Sequence, residues 1–288
     1  MTTVKFKTPL RYPGGKSRAT KFFFTEEHLP QGTITEYREP FLGGGSCALA
    51  FSQLYPDVPV WVNDTYYNLY CFWITLRDQC LDLQEILYAK KQEALRNDTH
   101  RELFLHCKET IGDCEDKLEI AWRFYVCNKC SFSGLGESSG FSAAASLSNF
   151  SEAGINKLIA YSRLIQNWKI TNDDYTVLLQ DLSEDTFVFL DPPYDINSFL
   201  YGKKGAHHLN FDHYKFREDV IALPCHVMIT YNSNQKLREM YNAWEQVEWD
   251  LTYTMHSGKA YRADEGNRKE LLLKNYLHSE ENTLQSWL

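Results

Sequence analysis

Three consecutive glycines between a strand-like and a helix-like segment constrain this chain more than any other feature. Thr33 to Arg38 alternates as a strand does, and Pro40-Phe41-Leu42-Gly43-Gly44-Gly45 follows as a glycine-rich turn. Cys47-Ala48-Leu49-Ala50-Phe51 then reads as a helix that Ser46 is placed to cap. Val58 to Val62 is a β-branched, apolar second strand ending at Asn63-Asp64. Residues 33–64 thus predict a β-α-β unit, which commits the chain to an α/β fold built on parallel strands. Glycines let a backbone approach a ligand closely. Asp64, 20 residues beyond Gly44, is placed to accept from both hydroxyls of a ribose. The pattern predicts a nucleoside-containing cofactor without saying which one. Gly43-x-Gly45-x-x-Ala48 also satisfies a dinucleotide fingerprint, so a nicotinamide-dependent oxidoreductase stays open.

A second motif narrows the chemistry. Phe187-Val188-Phe189-Leu190 is a short apolar run of the kind buried in parallel sheets, and Asp191-Pro192-Pro193-Tyr194 follows it directly. That places the tetrad at the carboxyl edge, where open α/β sheets bind ligands. Two prolines fix the backbone and remove two N–H donors, leaving carbonyls to accept. An Asp191 oxygen and the Pro192 carbonyl could both accept from one amino group, while Tyr194 offers a flat face for a base. The amino nitrogen of adenine is a poor nucleophile because its lone pair is delocalised. Two acceptors on its hydrogens favour a more tetrahedral nitrogen, and in-line transfer of a methyl group then needs only positioning and electrostatics. A paired base is out of reach, so the target must be swung out of the duplex. Pro224-Cys225 resembles the nucleophile pair of cytosine ring-carbon methylation, but it lies where a loop enters the buried run 227–231 and reads as structural.

The rest of the chain frames these motifs. A helical pattern runs from Tyr66 to about Trp122, and a Ser-, Gly- and Ala-rich stretch over 131–151 reads as a loop. A helix is expected over 152–167, and Val247–Thr254 with Glu270–Tyr276 reads as an antiparallel hairpin. The expectation is a catalytic domain from residues 1–69 and 166–288, interrupted by a mainly helical insertion over 70–165. Net charge is −8, which counts against tight nonspecific binding to nucleic acid. Distribution matters more than the sum: Met1 to Lys21 holds six basic residues and no acidic one. Further basic stretches run from Lys203 to Arg217 and through Lys259, Arg262, Arg268 and Lys269. Without a signal-like start or a bilayer-length apolar run, the eight cysteines read as reduced thiols and the setting as cytoplasmic. Cys127 and Cys130 have the spacing of half a zinc site. Cys107 and Cys114 lie too far apart to supply the other half, so no metal is expected.

With both motifs in view, the chain resembles the Dam-type DNA adenine-N6 methyltransferases over nearly its whole length. Arg11-Tyr12-Pro13-Gly14-Gly15-Lys16 resembles the family's N-terminal cofactor box, and Glu39 to Ser46 its methionine-side loop. Asp64 is similar to the ribose acid, Asp174-Tyr175 to the pair on the cofactor's adenine, and Asn210-Phe211 to the segment after the tetrad. The resemblance implies a Rossmann-like, S-adenosylmethionine-dependent sheet with an inserted target-recognition region. It implies cofactor contacts from Tyr12, Gly14, Gly15, Lys16, Pro40, Phe41, Gly43, Gly44, Gly45, Ser46, Asp64, Asp174, Tyr175 and Asp191. Residues 128–135 look like the DNA-contacting hairpin, in which Phe132 and Leu135 match apolar positions that wedge between bases. DNA contacts are expected from Arg11, Asn128, Lys129, Phe132, Ser133 and Leu135, and from Lys203, Lys204, Arg262 and Arg268. Glu137 departs from the pattern: relatives that read GATC carry a base-reading arginine there, and a glutamate cannot donate to guanine.

The expected reaction is therefore site-specific N6 methylation of adenine in duplex DNA by a monomer or weak dimer. A cognate restriction nuclease would be a genetic rather than a physical partner. Cytosine N4 or RNA adenine as target, and a regulator that binds DNA without turnover, are the alternatives.

Overall fold

In the computed structural model, which describes residues 4–194, 211–250 and 269–277, a seven-stranded sheet carries helices on both faces. The amino-terminal part supplies helix α1 (Thr20–Phe23), strand β1 (Glu36–Glu39), helix α2 (Ser46–Leu54) and strand β2 (Val60–Asn63). A helical block follows: α3 (Tyr67–Asp78), α4 (Cys80–Asn97), α5 (His100–Thr110), α6 (Lys117–Cys130), α7 (Ala143–Ser148), α8 (Glu152–Asn156) and α9 (Leu158–Leu164). The chain then returns to the sheet with β3 (Trp168–Thr171), β4 (Thr186–Leu190), α10 (His213–Ile221), β5 (His226–Asn232), α11 (Gln235–Met240), β6 (Glu245–Asp250) and β7 (Lys269–Lys274).

The strand order is β3-β2-β1-β4-β5-β7-β6. β1 pairs in parallel with β2 and β4, β2 with β3, and β4 with β5, whereas β7 runs antiparallel between β5 and β6. This is the order of a Rossmann-like methyltransferase sheet. After β1 the chain builds outward through β2 and β3, then returns to the other flank of β1. The strand order therefore reverses between β1 and β4, and ligands bind beyond the carboxyl ends of strands at such a reversal.

Period-two burial explains the two layers. Phe187 and Phe189 face one core with Phe51 of α2 and Trp168 of β3, shared with the helical block through residues such as Trp73 and Phe124. Val188 and Leu190 face a second core with Phe216, Val220, Leu237 and Tyr241 from α10 and α11. β4 is buried throughout, as its unbroken apolar run requires.

Several expectations shift by a few residues. β1 begins at Glu36 rather than Thr33. Ser46 is the first helical residue; the position before the helix belongs to Gly45, at φ 68°. The helix expected over 152–167 is two short helices meeting at Lys157 and ending at Leu164, and β3, which begins after it at Trp168, is absent from the sequence reading. Asn128 and Lys129 form the last turn of α6 rather than a hairpin, because the apolar residues of Lys117–Cys130 sustain the helix to Cys130. The hairpin expected near the carboxyl terminus is present as β6 and β7, with residues 251–254 outside the described ones.

Candidate active site

The glycine turn, Asp64, the Asp174-Tyr175 pair and the Asp191 tetrad sit at one edge of the sheet, whereas Pro224-Cys225 precedes β5 at the opposite edge. Asp174 and Tyr175 follow β3, Asp64 follows β2, Gly43 to Gly45 follow β1, and Asp191 follows β4. Three strand spacings of about 4.8 Å separate β3 from β4, so these groups are strung along roughly 14 Å. That row fits an elongated ligand with an aromatic end, a sugar and an amino-acid end.

The glycine turn is shaped by the protein itself. Gly43 and Gly45 have φ of 49° and 68°, in the left-handed region. A Cβ on Gly45 would lie 2.6 Å from the Trp73 ring, and one on Gly44 would lie 2.8 Å from the Tyr12 Cβ. The glycines therefore make room for Trp73 and Tyr12, a demand the sequence reading had assigned to a ligand alone. Trp73 Nε1 donates to the Gly43 carbonyl at 3.2 Å, and the Thr8 hydroxyl donates to that of Gly44. Asp64 closes the turn from the neighbouring strand. Its Oδ2 accepts from the Gly43 amide at 2.8 Å and its Oδ1 from the Tyr66 amide at 2.9 Å. A carboxylate has about four acceptor sites, so Asp64 can hold the loop and accept from a ribose.

Asn63, fully buried at the end of β2, ties the neighbouring loops together. Its amide donates to the carbonyls of Pro40 (3.2 Å) and Asp173 (2.9 Å). Its Oδ1 accepts from the Thr171 hydroxyl (2.9 Å) and the Asp173 amide (2.8 Å). Arg38 holds the other flank by donating to the carbonyls of Leu178, Gln180 and Asp181. Between these anchors Phe41 stacks on Tyr175 with centroids 5.4 Å apart, and Phe211 and Phe216 complete an aromatic cluster. The Tyr175 hydroxyl donates to Asp219 at 2.5 Å. Asp174 is exposed and accepts from the amide and hydroxyl of Thr176.

Asp191 is the centre of a second network. Lys16, 3% exposed, places its Nζ 2.8 Å from Oδ1 and 2.9 Å from Oδ2, and donates to the Gly14 carbonyl at 3.0 Å. Thr230 on β5 donates to Oδ1 at 2.7 Å. The Lys16 ammonium also lies 4.7 Å from the centre of the Tyr194 ring, on the surface offered for a base. The Tyr194 hydroxyl donates to Glu270 on β7 at 2.8 Å. Lys16 thus meets the catalytic motif itself. Ser46 is buried, its hydroxyl 2.8 Å from that of Ser17. Glu39 ends β1 inside the protein, where burial, with the Asp191 charge adding, raises its carboxyl well above the usual range; it accepts from the Tyr37 hydroxyl at 2.7 Å.

Thr230 and Glu270 were missed in the sequence. The signal was there: a threonine inside Val227-Met228-Ile229-Thr230-Tyr231, and a glutamate heading Leu271-Leu272-Leu273. What the sequence lacked was the pairing of β5 with β4, which brings Thr230 to Asp191, and of β7 with β5, which brings Glu270 to Tyr194.

The loop that the sequence resemblance assigns to DNA contact spans residues 131–141 and is closed by a bridge between Ser131 and Phe141. Phe132 is 54% exposed at its tip, and Ser133 beside it sits at φ 53°. Leu135 is half-buried. Glu137 is held from behind, accepting from the Tyr66 hydroxyl (2.8 Å) and the Asn68 amide (2.9 Å). Asn128 is buried and bonded to the Arg11 backbone, facing the protein interior rather than a ligand surface. Lys129 lies 5.2 Å from the centre of the Tyr125 ring, and burial, with the Arg11 charge adding, pushes its ammonium down to about 8. Lys203, Lys204, Asn210, Arg262 and Arg268 lie outside the described residues.

The thiols are structural. Cys225 is buried and pushed up to about 11, and Cys130 to about 12, both by burial. Among the described residues, no group of three metal-ligating side chains occurs and no helix is long and apolar enough to cross a membrane.

The chain is similar to two Type II methyltransferases. It is 26% identical to the Type II methyltransferase M.MjaIII of Methanocaldococcus jannaschii, over 66% of this chain and 70% of that one. It is 24% identical to the Type II methyltransferase M.CviBI of Paramecium bursaria Chlorella virus NC1A, over 94% of this chain and all of that one. A solved rRNA methyltransferase, aviRa of Streptomyces viridochromogenes, covers 90% of this chain and 84% of its own at a TM-score of 0.37 and 13% identity, too distant a likeness to bear on the site. The model of one family matches residues 12–255, from the Lys16 segment through the glycine turn, the 131–141 loop and the tetrad, and by that match the chain belongs to the D12 class N6 adenine-specific DNA methyltransferases.

Proposed function

We propose that a flipped adenine and S-adenosylmethionine meet between the carboxyl ends of β1 and β4, with the target read by the 131–141 loop. One observation carries this reading: the reversal of strand order sets Asp191-Pro192-Pro193-Tyr194 directly beside the glycine turn. The family acts on adenine N6 in DNA, and membership implies use of S-adenosylmethionine, which supplies a methyl group on a positively charged sulfur. The residues fit that group. Asp174, Phe41 and Tyr175 suit its adenine, Asp64 its ribose, and Gly43 to Gly45 its amino-acid end, in the order of the strands that carry them.

On the acceptor side, Tyr194 supplies the stacking face, anchored through its hydroxyl by Glu270. Asp191 and the Pro192 carbonyl accept from the amino group and turn its lone pair outward. Thr230 and Lys16 fix the Asp191 carboxylate so that the acceptor is preorganised rather than rotating. The dry thiol of Cys225 takes no part. Phe132 enters the duplex as the wedge that helps to unstack the target, with Leu135 beside it and Arg11, Lys129 and Ser133 near the phosphates. Residues 70–165 form the target-recognition insertion, although they share a core with the sheet. These roles all fall within one chain, which suits a monomer or weak dimer, and a nuclease reading the same site would be its genetic companion.

Calorimetric titration with S-adenosylhomocysteine divides the two halves of the site. Asp64→Asn lowers affinity about tenfold or more, whereas Asp191→Ala leaves it within about threefold and abolishes transfer. Equal loss of cofactor affinity in both variants would contradict the division.

A further inference from the structure

The side-chain amide of Asn128 brackets the peptide of Arg11. Its Oδ1 accepts from the Arg11 amide at 2.9 Å, and its Nδ2 donates to the Arg11 carbonyl at 2.6 Å and to the Gly134 carbonyl at 3.3 Å. Asn128 is 2% exposed, so these bonds are made away from water. The Arg11 guanidinium donates to the Ser131 carbonyl at 2.9 Å. A Cβ on Gly134 would lie 2.6 Å from the Arg11 carbonyl oxygen, so loop and segment lie backbone against backbone without play.

The same segment reaches the chemistry within five residues. The Tyr12 ring lies where a Cβ on Gly43 would come within 3.0 Å of it, and the Gly15 amide donates to the Tyr12 carbonyl at 3.1 Å in a tight turn. Lys16 then pairs with both oxygens of Asp191. One short stretch therefore touches the recognition loop at Arg11, the cofactor turn at Tyr12 and the catalytic carboxylate at Lys16. By contrast, the contacts of Glu137 anchor the loop to Tyr66 and Asn68, on the Asp64 side of the site.

We propose that Asn128 is a positioning residue, joining the 131–141 loop to Asp191 through residues 11–16, so that a correct target raises the rate of methyl transfer and not only occupancy. The inference rests on the reading of that loop as the DNA contact. Lys16 and the adenine amino group both address the Asp191 oxygens. A shift of about 1 Å in Lys16 alters what Asp191 presents, and misplacement on that scale is worth roughly 100-fold in rate. A loop that touched only DNA would change binding. A loop locked to the Lys16 segment also changes the rate.

The test uses the full chain and a duplex bearing the site mapped by sequencing plasmid DNA that the wild-type enzyme has methylated. A second duplex carries one altered base pair. Asn128→Asp keeps the acceptor for the Arg11 amide and loses both donated bonds. Its single-turnover rate on the target is expected to fall about tenfold or more, while its rate on the altered duplex holds and DNA and cofactor affinities stay within about threefold. Equal loss on both duplexes, weakened DNA binding, or no change would overturn the proposal.

Hydrogen exchange of the wild-type protein with S-adenosylhomocysteine gives a second reading that needs no variant. Amides of Tyr12 and of residues 14–16 are expected to gain protection with the target duplex and not with the altered one. Protection of 131–141 without a difference in 12–16 would refute this coupling alone. No protection of 131–141 by either duplex would refute the DNA-contacting loop beneath it.

Discussion

Gly45→Ala separates two reasons for a glycine in the cofactor turn. Gly45 sits at φ 68°, where an alanine costs about 1–2 kcal/mol. The new Cβ would also lie 2.6 Å from Cζ2 and 2.8 Å from Cη2 of Trp73. That indole is fully buried and bonded to the Gly43 carbonyl, so it cannot swing aside without losing its partner. Overpacking of this kind costs roughly 1–3 kcal/mol. Together the two terms predict about 2–5 kcal/mol of destabilisation, a fall in Tm of about 3–8 °C for a chain of this size. Thermal and urea denaturation without ligand measure it. Gly140→Ala is the control, because no atom lies within 4 Å of its new Cβ, and it should change stability by less than about 1 kcal/mol. Wild-type stability in Gly45→Ala, with cofactor affinity lost, would refute the packing argument and return the glycine to ligand approach.

Other consequences follow from the same geometry. Asn63→Ala removes four hydrogen bonds behind the turns and should cost about 2–4 kcal/mol while weakening S-adenosylhomocysteine binding, read by calorimetry. Thr230→Val removes one of the two contacts on Asp191 Oδ1 and leaves that of Lys16, and should lower kcat about tenfold with KM for the cofactor little changed. Lys129 loses its proton as pH rises through about 8, so wild-type DNA affinity should fall across that window relative to Lys129→Met. Below it, Lys129→Met should reduce the slope of log affinity against log salt by about one. The sign for stability is opposite: between the folded value near 8 and the unfolded value near 10.5, the unfolded chain binds more protons, so this group adds stability as pH rises.

The motifs with short-range grammar were legible in the sequence. Glycines after a strand, an acid ending the next strand and Asp-Pro-Pro-Tyr after an apolar run each declare themselves within about 30 residues, and the sheet carries all three to one edge. β3 went unread because Trp168-Lys169-Ile170-Thr171 is only four residues long and is a strand by pairing with β2. The supports of the site are long-range for the same reason. Thr230 reaches Asp191 across 39 residues, Glu270 reaches Tyr194 across 76, and Asn128 reaches Arg11 across 117. No local pattern encodes those meetings. The DNA contact expected of Asn128 comes from the resemblance of 128–135 to a DNA-contacting hairpin, whereas a buried asparagine that satisfies a neighbouring peptide is invisible without the fold.

The most direct test of the central claim is transfer of radiolabelled methyl from S-adenosylmethionine to a mixed-sequence duplex, followed by digestion to nucleosides. Label recovered as N6-methyladenine with the wild-type chain, and none with Asp191→Ala that still binds S-adenosylhomocysteine, is the predicted result. Label in N4-methylcytosine, or undiminished N6-methyladenine from the Asp191→Ala variant, would contradict it.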